Sequence, residues 1–502
     1  MRASFTRRAT FPTRRRVVTS ELPSPVTGVP PSRTDLIARS AEQPADLLII
    51  GGGISGAGIA RDAALRGLRT VLVEREDFAS GTSSRSSRLV HGGVRYLEHG
   101  YLHLVFESSR ERRTLLRIAP HLVHPLQFTW PVYRGARLAR WKILAGLWLY
   151  DLLSLFRNAH PHRALSVPGV FAEEPALRRE GLTGGALYFD ARTDDARLTL
   201  ANILSAVDAG AAALNYVEAT ALLAEGGNVC GAVVHDRIGQ RSFEVRARVV
   251  INACGPYTDA IARLENADAP PALRGSKGVH IAVPAARIGN RNAVTMLHPA
   301  DGRVLFTLPG AEVTIIGTTE TETAQDPHEV RPLAADVQYL LDAANFFWPA
   351  ATLAPADVIT AWAGIRPLVA SHAANAGSAS REHAITVGPR GVVAITGGKL
   401  TTYRAMAEEV TDVVEHRMGR RPTPCRTARE LLPDPGREFA CRVADVLVRR
   451  TKIAFNTRDH GMSQAEGVAR ALAAEHGWDE AAIAQALADY RAEIARLFTI
   501  EP

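Results

Sequence analysis

The stretch Asp46-Leu47-Leu48-Ile49-Ile50-Gly51-Gly52-Gly53-Ile54-Ser55-Gly56-Ala57-Gly58, closed by Val71-Leu72-Val73-Glu74, decides the fold. The apolar run Leu47 to Ile50 reads as a parallel strand buried on both faces. Gly51, Gly53 and Gly56 follow at the spacing that lets the backbone turn tightly and brings a pyrophosphate to the N-terminus of the next helix. Glu74 ends the second apolar run, where a carboxylate can accept hydrogen bonds from a ribose. A glycine triplet alone arises easily in a chain with 40 glycines. Strand, turn, helix and acid in register point instead to a dinucleotide site, with NAD and FAD both open.

The chain as a whole has ordinary globular composition: of its 502 residues, 46% are hydrophobic and 22% charged, enough for two or three domains and a large core. The net charge of +7 invites a nucleic-acid reading until it is located. Residues 1–34 hold seven Arg against the single acid Glu21, leaving the body near +1, so no nucleic-acid partner is expected. That Arg-rich opening reads as a disordered tail or an over-extended start, with an organellar transit peptide as the alternative; it has no apolar core of a secretory signal. Cys230, Cys254, Cys425 and Cys441 show no C-x-x-C spacing and no His/Cys cluster, so reduced thiols and no metal site are expected.

Further along, Ala79 to Arg88 form a polar loop rich in small hydroxyls, suited either to close approach of a ligand or to a solvated linker. Residues 99–119 carry a helical pattern. From Arg134 to Arg157, Arg and Lys flank a Trp-bearing apolar run whose core, Ile143 to Tyr150, is far shorter than the roughly 20 residues that span a bilayer. Docking at a membrane interface and burial in a second domain both fit it. Asp194-Asp195-Ala196-Arg197-Leu198 opens a helix, and Val245 to Ala253 reads as a buried strand running into Cys254-Gly255-Pro256. Residues 273–320 are strand-rich, 327–348 helical, and Val392 to Ile395 form a strand leading into Gly397-Gly398-Lys399-Leu400-Thr401-Thr402-Tyr403 and a helix to about Met418. This second strand-glycine-helix junction suggests a return to the first sheet. Beyond Pro422 helical signals dominate, and there is no repeat of 20 to 50 residues.

Together these blocks resemble the FAD-dependent sn-glycerol-3-phosphate dehydrogenases, a membrane-associated respiratory family. The likeness runs from Asp46 to Tyr403 and rests on Thr82 to Glu98, Asp194 to Leu198, Lys277-Gly278-Val279-His280, Ile316-Gly317-Thr318-Thr319, Gly364-Ile365-Arg366-Pro367-Leu368 and Gly397 to Tyr403, with an echo at Arg442 to Lys452. It implies an α/β fold: a glutathione-reductase-like, FAD-binding Rossmann domain with an inserted α+β substrate domain and a shortened helical C-terminal region. The expected divisions are a disordered basic tail (1–44), the FAD-binding domain in three parts (45–105, 165–256, 383–418), a substrate- or membrane-facing insertion (106–164), a substrate domain (257–382) and the helical C-terminal region (430–502).

The resemblance further implies oxidation of sn-glycerol 3-phosphate to dihydroxyacetone phosphate, with electrons passed through FAD to a membrane quinone. It places the protein in the cytoplasm, peripherally on the inner face of the cytoplasmic membrane, with a homodimer possible. Arg95, Arg366 and Lys399 are expected to hold the phosphate, with Arg381 a weaker fourth, since fixed guanidinium charge suits phosphate oxygens. His280 is the expected base and Lys277 the runner-up. FAD is expected on Gly51, Gly53, Ile54, Ser55 and Gly56 at the pyrophosphate, Glu74 at the ribose, Ser83, Ser84, Ser87 and Gly255 along the cofactor, and Gly397, Gly398, Lys399, Leu400 and Thr401 at the ring, where a helix N-terminus favours negative charge. Cys254 and the Arg192-Thr193 pair depart from the family pattern. The rival readings are a glycerol-3-phosphate oxidase that reduces oxygen and a degraded flavin-binding scaffold.

Overall fold

The computed structural model describes residues 32–369 and 382–502, with the side chains of Arg95 and His99 outside the described set. Two sheets organise these residues. The first has the order β17-β18-β10-β1-β2-β7 and is built on β1 (Ala45–Ile50), β2 (Thr70–Glu74), β7 (Ala212–Asn215), β10 (Arg241–Asn252), β17 (His383–Val387) and β18 (Val393–Gly397). All its neighbours run parallel except β17, which returns antiparallel along one edge. β8 (Val217–Glu225) and β9 (Asn228–Asp236) extend β10 as an antiparallel meander. Strand alternation explains the continuous apolar run of β1. Leu47 and Ile49 pack under three helices, α2 (Ile54–Leu65), α6 (Asp195–Asp208) and α10 (Tyr403–Arg417), while Leu48 and Ile50 face the meander and α1 (Arg33–Glu42).

The second sheet has the order β15-β11-β14-β13-β12-β4-β6-β3. Its strands are β3 (Leu89–Val90), β4 (His124–Tyr133), β5 (Arg163–Leu165), β6 (Leu182–Arg192), β11 (Leu273–Pro284), β12 (Ala293–Leu297), β13 (Val304–Leu308), β14 (Val313–Gly317), β15 (Thr321–Thr323) and β16 (Thr360–Val369), with β16 beside β11 and β5 beside β6. On β11, Val279, Ile281 and Val283 pack against α9 (Ala334–Phe347). Ala282, on the opposite face, meets the C-terminal helices α11 (Ile453–Asn456), α12 (Met462–His476) and α13 (Glu480–Phe498). The shorter helices are α5 (Val167–Glu173), α7 (Thr258–Glu265) and α8 (Ala285–Ile288); α3 (Leu102–Ile118) and α4 (Arg140–Leu153) pack on each other near β6.

Several expected divisions shift. The tail does not extend to residue 44, because α1 is capped by Ser32, buries Leu36 and Ile37, and ties Arg33 to Asp236 at 2.7 Å; residues 1–31 lie outside the described set. The segment 165–256 is not wholly cofactor domain, and 106–164 is not a separate insertion. β4 and β6 pair over ten residues within the second sheet, joined by β5. Nor is the chain beyond Pro422, expected to be helical and to form a helical region from 430, helical before residue 443: Pro422, Pro424, Pro433 and Pro435 cannot donate to a helix, and this strap, 422–442, is instead held from outside, by Arg61 on the Thr427 and Glu430 carbonyls and by the Leu432 N–H on the Ile118 carbonyl.

Candidate active site

A cavity of about 660 Å³ runs from the C-terminal edge of the parallel sheet onto the second sheet. Its volume falls in the range of cofactor-sized sites. At the sheet edge, Gly51 sits at φ +111°, and a Cβ there would lie 2.7 Å from the Ala253 carbonyl oxygen. A Cβ on Gly56 would overlap the Gly51 carbonyl, so these two glycines let β1, the turn and α2 close on one another. Gly53, Ile54 and Ser55 open α2 on the cavity wall, and the Ile54 N–H donates to Ser83 Oγ at 3.0 Å. No acidic residue lies in the first turn of α2, so its positive end faces the cavity uncompensated. Glu74 accepts from the N–H groups of Gly52 at 2.7 Å and Glu76 at 3.0 Å; burial pushes its carboxyl up while these bonds pull the other way. Cavity, glycine turn and buried acid fit the diphosphate and ribose of FAD.

At the other end, β11 and β16 place His280 opposite Trp362, Gly278 opposite Gly364 and Ser276 opposite Arg366. The His280 ring stacks on Trp362 at 5.3 Å between centroids and 9° between planes. Its Nε2 shares a 2.8 Å hydrogen bond with Ser87 Oγ, and its buried Nδ1 makes no hydrogen bond among the described residues. Burial, then Arg366 and Arg88, push the imidazole down to about 3 against the pull of Asp195, so it is neutral at physiological pH. Arg366 Nη2 donates to Thr318 Oγ1 at 2.9 Å, and its guanidinium reaches the Thr319 carbonyl and Ser276 Oγ. Gly397, Gly398, Lys399 and Leu400 complete this end, with Lys399 Nζ 3.9 Å over the Tyr96 ring. A neutral imidazole, fixed cations and a glycine-lined wall can take a proton and hold an anion.

The structure thus brings Gly51, Gly53, Ile54, Ser55, Glu74, Ser83, Ser87, Gly255, His280, Arg366, Gly397, Gly398, Lys399 and Leu400 to one cavity. Lys277 is not among them. Three residues from His280 on an extended strand, it points to the opposite face, where its ammonium is buried and paired with Asp336 at 2.7 Å. Ser84 turns its hydroxyl back to the Gly81 carbonyl, and Thr401 Oγ1 clamps the N–H and C=O of His91; both support the cradle from behind. Gly56 acts through close packing. Arg381 lies outside the described residues, as does the side chain of Arg95.

Other lining residues escaped the sequence reading. Arg75, whose guanidinium lies 4.4 Å from the Tyr257 ring centroid, adjoins Glu74 and could have been found there. Arg85, inside the hydroxyl-rich loop, is pushed down to about 10 by burial. Arg496 and His328 reach the wall from the C-terminal helix and from the segment before α9, with no local motif to announce them.

Residues 46–413 match the family described as FAD dependent oxidoreductase, and residues 427–483 match the C-terminal domain of alpha-glycerophosphate oxidase. The chain is 41% identical over 403 residues to a glycerol-3-phosphate dehydrogenase of Synechocystis, covering 77% of this chain and 73% of that protein. It is 39% identical over 421 residues to the mitochondrial glycerol-3-phosphate dehydrogenase of Macaca fascicularis, covering 80% of this chain but 57% of that protein, so it spans little more than half the length of such relatives. A crystal structure of the Bacillus halodurans glycerol-3-phosphate dehydrogenase complexed with FAD superposes with a TM-score of 0.78 at 30% identity, covering 93% of this chain and 97% of that one. On this architecture, and on these matches across most of its length, the chain belongs to the family of FAD-dependent glycerol-3-phosphate dehydrogenases.

Proposed function

We propose that the protein oxidises sn-glycerol 3-phosphate to dihydroxyacetone phosphate and delivers the electrons to a membrane quinone. The observation that carries this reading is His280: buried, neutral, and fixed by Trp362 and Ser87 beside the Arg366 cation. FAD, when bound, supplies the two-electron oxidant that accepts hydride from C2. His280 takes the hydroxyl proton as the C2–O bond becomes a carbonyl, so one hydride and one proton leave the alcohol together. Arg366 and Lys399 hold the phosphate. A phosphate dianion beside Arg366 offsets one of the two cations that depress His280, raising its basicity only when substrate is in place. The cofactor rests on the Gly51 turn, the α2 N-terminus, Glu74 and Ser83, and the N-terminal end of α10, reached through Leu400, favours negative charge on the ring.

The membrane part of the proposal rests on α4. It buries Ile143, Leu147 and Tyr150 and turns Trp141 and Trp148 outward, 67% and 61% exposed, with Leu152, Leu155 and Phe156 beside them. Exposed Arg134, Arg137, Lys142 and Arg157 flank this apolar face. Basic residues around exposed Trp and Leu suit the headgroup boundary of an anionic bilayer, and no helix of the described residues is long and apolar enough to cross one. This supports a peripheral position on the inner face of the cytoplasmic membrane. Anaerobic mixing with sn-glycerol 3-phosphate should bleach the bound flavin, and a quinone analogue should restore its colour faster than oxygen does. Faster recovery with oxygen assigns the protein as an oxidase; no bleaching removes the substrate assignment.

A further inference from the structure

Two sequence blocks take no part in the chemistry above, Asp194-Asp195-Ala196-Arg197-Leu198 and Arg442 to Lys452, and in the structure they meet. Lys452 Nζ is buried and donates to Asp195 Oδ1 at 2.8 Å. Asp195 Oδ2 accepts from the Ser86 N–H at 3.1 Å and from Ser86 Oγ at 2.7 Å. The next residue, Ser87, holds His280 Nε2. A second route leads from the same segment. The Phe455 ring packs edge-on against Trp362 at 5.1 Å and under the Arg88 guanidinium at 4.9 Å, and Trp362 is the surface on which His280 stacks. We propose that Lys452 is a positioning residue: through Asp195 and the Ser86-Ser87 backbone, the C-terminal region sets the placement of the His280 base.

Several features support this assignment. Burial raises the Asp195 carboxyl, but Lys452 and Arg88 outweigh it and hold it below the usual carboxylate range, so the link is an ion pair. The Ala196 N–H also donates to Oδ1 at 3.0 Å, so the carboxylate is gripped on both oxygens and cannot swing. The same segment locks the cofactor cradle a second time. Arg449 and Arg450 both reach Asp77 Oδ2 at 2.6 Å, three residues after Glu74. The turn after β2 and the loop before β3 are thus pinned by cations from one short stretch. This explains why a C-terminal block remote in sequence accompanies the flavin-site blocks.

The proposal rests on the reading of His280 as the base, and its test separates the two. In anaerobic single-turnover mixing of the FAD-loaded protein with sn-glycerol 3-phosphate, Lys452→Met is expected to slow flavin reduction per bound flavin about tenfold or more, the size a misplaced reacting group costs. The substrate concentration at half-saturation should stay within about twofold, because Arg366 and Lys399 are untouched. Lys452→Arg should recover most of the rate. Ser86→Ala, which removes the 2.7 Å hydroxyl link to Asp195 and the acceptor of the Arg88 N–H at 3.0 Å but keeps the backbone N–H bond to Asp195, should slow reduction about threefold. It carries the test if Lys452→Met does not fold. An unchanged rate per bound flavin in either folded variant, with any loss confined to melting temperature or FAD content, overturns the proposal. Absence of bleaching in the wild-type protein overturns the substrate reading instead.

Discussion

Replacing Arg366 with Ala has two effects of different sign, and together they test the site. In the free protein Arg366 donates, among the described residues, to the neutral oxygens of Thr318 Oγ1 at 2.9 Å and the Thr319 carbonyl at 3.3 Å. Exchanging such contacts for two charge-assisted bonds to phosphate is worth about 3–6 kcal/mol, so kcat/KM for sn-glycerol 3-phosphate should fall about 10²–10⁴-fold. Turnover of unphosphorylated glycerol should barely change. The second effect falls on His280, which faces Arg366, Arg88 and Asp195 and is held down to about 3 by burial and by the two cations. Removing one cation raises the imidazole. The acid limb that His280 contributes to kcat/KM should therefore move up towards the measurable range, whereas the substrate's own second phosphate ionisation, at about pH 6, is the same for both proteins and absent with glycerol. The assay is flavin reduction between pH 4 and 8 with both substrates. Equal losses for phosphorylated and unphosphorylated glycerol, or an acid limb that stays in place, would refute the joint role of Arg366 as phosphate ligand and electrostatic neighbour of the base.

Four further outcomes are expected. Lys277→Met leaves Asp336 buried without its 2.7 Å partner, so chemical denaturation should show a loss of about 3–5 kcal/mol while flavin reduction stays within about twofold; a catalytic collapse with stability intact would return Lys277 to the chemistry. Because folded His280 stays neutral where the unfolded chain takes up a proton, the unfolded state binds more protons from the ordinary imidazole value of 6.5 down to about 3, and stability falls as pH falls through that window. His280→Gln should flatten this slope in urea titrations at pH 4.5–7, and an unchanged slope contradicts the buried neutral state. Glu74→Ala should weaken FAD binding to the apoprotein about 10–100-fold in a fluorescence titration, since the turn loses two acceptor contacts and the ribose its carboxylate. Trp141→Glu with Trp148→Glu should abolish co-sedimentation with anionic vesicles and leave anaerobic flavin reduction untouched; retained vesicle binding removes α4 from the membrane proposal.

The parts of this site legible in sequence are those in which neighbours along the chain act together. The strand, turn and helix from Asp46 to Gly58 were readable because each residue constrains the next, and so was the junction at Gly397. His280 and Lys277 were harder to separate, since both sit in one block; only the two-residue alternation of β11, and which face α9 covers, sends Lys277 away from the cavity. The domain boundaries were blurred because β4 and β6 carry apolar residues like those of the cofactor sheet, and strand composition says nothing about which partner a strand takes. The strap 422–442 lies where helical signals dominate the sequence, yet its four prolines argue against a helix there. Arg496 reaches the cavity from the far end of the chain, and Lys452 and Asp195 stand 257 residues apart, so neither could be read locally at all.

Anaerobic bleaching of the bound flavin tests the central claim most directly. With FAD loaded and oxygen excluded, sn-glycerol 3-phosphate should reduce the flavin in a saturable single phase, and glycerol at the same concentration should reduce it far more slowly. Bleaching by both at similar rates, or by neither, would contradict a site built from a buried neutral imidazole and fixed cations for a phosphorylated alcohol.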